Sequence, residues 1–140
     1  MDKEIIEKRL MYINEKLKDL KYDLEKYNKV ENEKDKKTIQ GAIERWCEEI
    51  VESGVNINIE LLSSKNKISD SYYNSFIDLK IFNYFDEDFL TKIASTAGFR
   101  NRLAHDYMNI DKEIMIGSAK FILKLYKDYI LNISSFLKKI

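Results

Sequence analysis

The most restrictive feature of this 140-residue chain is that it contains no proline and only four glycines. Proline breaks helices, and both residues supply the tight turns that β-rich folds need. Apolar residues instead recur in steps of three and four, and no stretch of useful length alternates like a strand. The first such seam consists of Ile6, Leu10, Ile13, Leu17, Leu20, Leu24 and Tyr27. The sequence therefore predicts an all-α bundle of about five helices.

Local signals place the other elements of this bundle. A second helical pattern contains Gly54, where the missing side chain predicts the close approach of a neighbouring helix. Ser69 or Asp70 is the expected N-cap of a short third helix, Asp86 of a fourth and Asp111 of a fifth. The apolar seam of the first helix is longer than a small domain needs, and this length suggests a homodimer.

The composition excludes several classes of protein and site. Lys and Arg balance Asp and Glu at 24 each, so no global field favours a nucleic acid or a membrane. A single cysteine and a single histidine can form neither an internal disulfide nor a Cys/His zinc site. Cys47 is expected to be a buried apolar residue. We expect no metal and no cofactor.

The expected location follows from the absence of targeting signals. The start "MDKEIIEKRL" is too charged for a signal peptide. No segment approaches the roughly 20 apolar residues of a membrane span. The sequence therefore predicts a cytoplasmic protein without a membrane partner.

The one histidine lies in a dense polar cluster, "FRNRLAHDY". Arg100 offers donors that match a phosphate, and His105 can exchange a proton near neutral pH. Asn101 can orient its neighbours, Arg102 adds positive charge, and Tyr107 offers a phenol. RNA cleavage without a metal requires groups of these kinds, since a base activates the ribose 2′-hydroxyl and cations stabilise the charge that builds at the phosphorus.

Helix geometry places a condition on this site. Arg100 and His105 lie about 140° apart around a helix, whereas Arg102 and His105 share a face. The cluster works if the helix ends within it, if the Arg100 side chain wraps round, or if a second subunit completes it. Alternatively, His105 and the arginines are a helix C-cap with a purely structural role.

A longer phrase around the cluster resembles a known family. Arg100, His105 and Tyr107 follow the pattern Arg-x4-His-x-Tyr, and "AGFRNRLAHDYMNID" extends it on both sides. In this phrase, and in helix order over essentially its whole length, the chain is similar to HepT toxins of the HEPN superfamily. The resemblance implies one HepT-like helical domain over residues 1–140, acting as a homodimer whose two motifs face each other across the interface.

The resemblance also implies an activity and a partner. HepT toxins are metal-independent ribonucleases, with Arg100 and His105 in the catalytic positions and Asn101 in support. They pair with MntA, a nucleotidyltransferase antitoxin that transfers AMP to the motif tyrosine, here Tyr107. The expected substrate is RNA, either messenger or transfer. The alternative is a non-catalytic helical module that binds a nucleotide or a nucleotidyltransferase.

Overall fold

A computed structural model describes residues 1–105 and 111–140, with the side chains of residues 104 and 105 left out of the description. The prediction of an all-α bundle is confirmed, and the described residues contain no strand. The helices are α1 (Lys3–Lys29), α2 (Glu33–Ser63), α3 (Tyr72–Ile77), α4 (Glu87–His105) and α5 (Lys112–Lys139), with a 3₁₀ turn (Asp78–Phe82) directly after α3.

Side-chain caps start the helices, as the sequence signals largely predict. Asp111 Oδ1 accepts from the backbone N–H groups of Glu113 and Ile114 at 2.8 and 3.2 Å. Asp86 Oδ1 accepts from the N–H of Asp88 at 3.3 Å, so both predicted acidic caps are confirmed.

The predicted cap of α3 is wrong. The cap is Ser71, whose Oγ accepts from the N–H of Asn74 at 3.0 Å. Ser69 instead donates its hydroxyl to Asp78 Oδ2 at 2.7 Å, which ties the segment before α3 to the 3₁₀ turn. Because Ser69, Asp70 and Ser71 are adjacent and can all cap a helix, the choice among them depends on these contacts.

The seam of α1 is buried within the bundle. Six of its seven predicted residues are buried and the seventh, Tyr27, packs partly buried against the core. Helices α2 and α5 of the same chain cover α1, so the long apolar seam is buried without a second subunit. The length of the seam therefore gives no argument for a dimer.

Gly54 allows α2 to approach its neighbours closely, as the sequence predicts. A Cβ atom at this position would lie 3.0 Å from Tyr126 Cε1 and 3.4 Å from Phe76 Cζ. The Gly54 carbonyl also lies 3.0 Å from the Tyr129 hydroxyl, which donates to it. A glycine here lets two aromatic rings of other helices pack directly against the backbone of α2.

The core contains a small set of satisfied polar groups. The Tyr129 hydroxyl shares its one proton between the Gly54 carbonyl and Asn58 Oδ1, which lies at 2.6 Å, and Asn58 Nδ2 donates to Ser75 Oγ at 3.2 Å. The hydroxyls of Tyr126 and Thr96 lie 2.8 Å apart. Burial raises the pKa of both tyrosine phenols, so they remain neutral donors at physiological pH. These bonds connect α5 to α2 and α4, and α2 to α3.

Cys47 is fully buried, which confirms the expectation of a small apolar residue. Burial raises the pKa of its thiol, and the nearby carboxylates of Glu44 and Glu48 raise it further. A thiol in this environment is chemically inert in the folded protein. None of the described helices is both long and apolar enough to cross a membrane.

Candidate active site

Helix α4 carries the polar cluster through its last turns. The helix runs from Glu87 to His105 without ending at the arginines, so its backbone is helical throughout Arg100, Asn101 and Arg102. Asn101 and Arg102 are exposed, whereas Arg100 is half-buried. Tyr107 lies outside the described residues, and so does the side chain of His105.

Arg100 is held by residues from two other helices. Its Nη2 atom lies 3.3 Å from Glu52 Oε2 of α2, and the Arg100 side chain is 20% exposed. Its guanidinium carbon lies 5.3 Å from the centre of the Tyr72 ring at the start of α3. A carboxylate and an aromatic face are the two surfaces that a guanidinium prefers. Arg100 therefore points towards α2 and α3.

The guanidinium of Arg100 retains capacity to bind. Its Nε is buried without an acceptor among the described residues, and Glu52 engages Nη2 alone. An arginine carries five N–H donors arranged to grip two oxygens at once. Among the described residues, Glu52 and Tyr72 thus orient Arg100 and leave donors other than Nη2 unbonded, of which the buried Nε is not open to a ligand.

The Arg100 contacts test the condition that helix geometry places on a site containing both Arg100 and His105. The helix does not end before position 105, and the Arg100 side chain extends towards α2 and α3. By helix register, position 105 lies about 140° around α4 from that side. The Arg100 side chain and position 105 therefore lie on different sides of α4, whose last described helical residue is His105.

Arg102 lies on a different side of α4 from Arg100. Its guanidinium carbon is 6.0 Å from the centre of the Phe99 ring, beside a cavity between α4 and α5. By register, Arg102 and position 105 are neighbours three residues apart on one face. The structure thus separates the two arginines that the sequence places together.

Glu52 and Tyr72 are contacts that the sequence analysis missed. Glu52 is 48 residues from Arg100, and it is one of several acidic residues on α2. No periodicity or spacing singles it out. Tyr72 is one of nine tyrosines in the chain, and its position in the sequence does not distinguish it from the others. Within residues 1–105 and 111–140, no three His, Cys, Asp or Glu side chains gather as a metal would need.

The sequence model of one family, described as "Ribonuclease HepT-like", matches residues 13–133, most of the chain. The chain belongs to the HepT-like family. Among its HepT-like relatives is the tRNA nuclease HepT of Aphanizomenon flos-aquae (strain 2012/KM1/D3), 34% identical over 96 residues. That match covers 67% of this chain and 65% of the relative, so the chain spans just under two thirds of the relative's length.

Solved structures share the HepT-like fold. A tri-AMPylated HEPN toxin of Shewanella oneidensis, solved in complex with an MNT antitoxin, superposes with a TM-score of 0.82 at 20% identity. The superposition covers 96% of this chain and 99% of the toxin. A mutant of the MntA-HpeT toxin–antitoxin pair gives a TM-score of 0.81 at 19% identity, covering 94% and 98%. At such identities the likeness establishes the fold.

Proposed function

We propose that this chain is the toxin of a type VII-like toxin–antitoxin pair, a metal-independent endoribonuclease acting in the cytoplasm as a homodimer. Residues 1–140 would form its single HepT-like domain. Arg100 and His105 would be catalytic, and Asn101 and Arg102 would support them. Membership of the HepT-like family and the name of the tRNA nuclease relative support this activity. That name also favours transfer RNA over messenger RNA as the substrate.

The observation that carries the proposal is that residues of α2 and α3 hold the Arg100 guanidinium in one direction. An arginine that Glu52 and Tyr72 hold in one direction is prepared to bind a phosphate in one orientation. A structural helix cap would instead use its guanidinium on the last carbonyl groups of its own helix. The contacts of Arg100 with α2 and α3 thus favour a binding role over a capping role.

The proposed reaction uses groups of the chain alone. His105 would take the proton of a ribose 2′-hydroxyl, whose oxygen then attacks the adjacent phosphorus. Arg100 would stabilise the charge that develops on the phosphoryl oxygens. The 5′-oxygen of the next nucleotide leaves and takes a proton from solvent, to which His105 returns its own, giving a 2′,3′-cyclic phosphate and a 5′-hydroxyl end.

We propose that a second subunit completes this site. Arg100 faces α2 and α3, while position 105 is about 140° away around the same helix. In a twofold dimer, Arg100 of one subunit and His105 of the other can approach one phosphate from opposite sides. This arrangement needs neither a change in the helix nor a rearrangement of Arg100.

Silencing by an MntA-like nucleotidyltransferase is the proposed regulation. The partner would transfer AMP from ATP to the hydroxyl of Tyr107, with release of pyrophosphate. The structural neighbour that is AMPylated and bound to an MNT antitoxin supports this partner. The new phosphodiester would carry a negative charge two residues from His105, where it can occupy the Arg100 donors and exclude RNA. Modified protein is therefore expected to lose RNA binding as well as cleavage.

The decisive experiment is RNA cleavage in excess EDTA by protein produced without its partner, with His105→Ala as the matched variant. An intact mass first establishes that Tyr107 carries no AMP. Cleavage of tRNA by the wild type alone is the expected result. If neither protein cuts tRNA or mRNA while the mass is unmodified, the nuclease proposal fails. Arg100 and His105 are then contacts of a nucleotide- or partner-binding module.

A further inference from the structure

A cavity of about 400 Å³ opens between α4 and α5, on the side of α4 away from Glu52. Its volume falls in the range of small-ligand pockets. The residues that shape it are Ser95, Gly98, Phe99, Arg102, Ser118 and Phe121. The cavity therefore combines aromatic rings, hydroxyl groups and one cation.

Gly98 keeps this cavity open. It is an exposed position in the middle of α4, and a Cβ built there meets no atom within 4 Å. Unlike Gly54, it is not needed for close packing between helices. A glycine in a helix interior lowers stability, and Gly98 gains no close packing in return. Its presence therefore suggests that the open space beside it has a role.

The cavity lies along the same stripe of α4 as the proposed catalytic histidine. Gly98, Arg102 and position 105 are spaced i, i+4 and i+7, which places them on one face of a helix. Position 105 is about 10 Å further along the helix axis than Gly98, and Arg102 lies between them. A nucleotide with its base in the cavity would thus have its phosphate near Arg102, on the side towards position 105.

The walls of the cavity have the chemistry that nucleobases bind. Phe121 of α5 is 43% exposed, although most large apolar residues of this helix are buried. Phe99 is 5% exposed and lies under the Arg102 guanidinium. Aromatic faces and guanidinium planes stack on bases, and serine hydroxyls both donate to and accept from base edges. Arg102 can at the same time reach a phosphate.

We propose that this cavity binds one nucleobase of the RNA substrate, next to the phosphate that is cut. Phe121 provides the stacking surface, Ser95 and Ser118 contact the base edge, and Arg102 holds the adjoining phosphate. The inference rests on the proposed function in taking RNA as the ligand. It adds a subsite that selects which nucleotide flanks the cut.

Gly98→Leu tests the cavity directly because Gly98 lines it and a Cβ atom there meets no atom within 4 Å. Leucine also forms helices better than glycine, so the variant is expected to fold. Gly41→Leu is the matched control, since Gly41 is an exposed glycine of α2 with equally open surroundings. Both changes are made in His105→Ala protein, so that bound RNA is not cut.

The measurement is fluorescence anisotropy with labelled single-stranded poly-A, poly-C, poly-G and poly-U oligonucleotides and with tRNA. We expect Gly98→Leu to weaken binding of the preferred RNA by about tenfold or more, and Gly41→Leu to leave it unchanged. Phe121→Ala should produce a similar loss. Tyr22→Ala removes an exposed ring from α1 and should have no effect.

The outcomes separate this inference from the nuclease proposal. Equal RNA affinity of the Gly98→Leu and Gly41→Leu proteins, or no RNA binding at all, overturns the base-binding cavity even if the wild type cuts RNA. If Gly98→Leu alters only self-association in sedimentation, the cavity is a subunit contact and the inference is also overturned. If Gly98→Leu selectively weakens RNA binding while the wild type cuts no RNA, the base-binding cavity is supported and the nuclease proposal fails.

Discussion

The carboxylate of Glu52 lies 3.3 Å from Nη2 of Arg100, and this contact joins the middle of α2 to the last turns of α4. Tyr72 closes the other side of the same guanidinium. Tyr72 is in turn placed by the Ser71 cap at the start of α3 and by the Ser75 hydroxyl, which donates to the Tyr72 carbonyl at 2.7 Å. Three helices thus determine the direction of one arginine.

Glu52→Ala should impair cleavage more than stability. The Glu52 side chain is 47% exposed, so losing the ion pair should change the free energy of unfolding by less than about 1 kcal/mol. An arginine without its anchor samples unproductive directions, and we expect kcat for RNA cleavage to fall about ten- to hundredfold. Glu52→Gln keeps an oxygen acceptor for Arg100 and should recover part of the rate.

The control for Glu52 is Glu4→Ala, which removes an exposed ion pair with Lys8 at 3.5 Å on α1. This variant should match the wild type in both kcat and urea unfolding. If Glu52→Ala cuts as fast as the wild type, the contact with Arg100 has no role in positioning it.

Mixing two inactive variants should restore activity if subunits share the site. Arg100→Ala and His105→Ala, unfolded together and refolded, form heterodimers that retain one intact combination of Arg100 and His105. Random pairing predicts about a quarter of the wild-type cleavage rate. Each variant refolded alone should be inactive. Continued inactivity of the mixture, with heterodimers verified by native mass spectrometry, would place both residues of a site in one subunit.

Gly54→Ala should destabilise the bundle. The added Cβ would lie 3.0 Å from Tyr126 Cε1, and the bond between the Tyr126 and Thr96 hydroxyls holds that ring in place. We expect a loss of about 1–3 kcal/mol in the free energy of unfolding by urea. Gly41→Ala, at an open position of the same helix, should instead gain up to about 1 kcal/mol. Equal stability of the two variants would contradict the packing argument.

The buried phenols should make the protein sensitive to alkali. Burial raises the pKa values of Tyr126 and Tyr129, whereas in the unfolded chain phenols ionise near pH 10. The unfolded state then binds fewer protons above about pH 10. The contribution of these phenols to the free energy of unfolding is therefore complete below that pH. Above it, the free energy of unfolding falls by about 1.4 kcal/mol per pH unit for each phenol.

Tyr129→Phe isolates one of these phenols in urea unfolding measured across the alkaline range. The variant should start about 1–3 kcal/mol less stable near neutral pH, because the Asn58 and Gly54 oxygens lose their donor. Its stability should then decline less steeply with pH than that of the wild type. Tyr22→Phe, at an exposed ring, should leave the slope unchanged. Identical slopes for all three proteins would exclude a contribution from the buried phenol.

The sequence by itself determined the helices, because apolar spacing and caps are local properties. The seam of α1, the burial of Cys47, the acidic caps Asp86 and Asp111 and the close packing at Gly54 could all be predicted. The cap of α3 was missed by one or two residues, since neighbouring residues offer the same chemistry. The family phrase located the candidate site on α4, although Tyr107 and the His105 side chain are outside the described residues.

Only the tertiary structure decided how the cluster is used. Arg100 and Arg102 are two residues apart in the sequence, yet one contacts Glu52 and Tyr72 while the other lies over Phe99 beside the cavity at Gly98. Glu52 is 48 residues away from Arg100, and Phe121 reaches the cavity from another helix. The direction of a side chain and the space beside a glycine depend on which helices pack against each face of α4, and no local pattern carries that information.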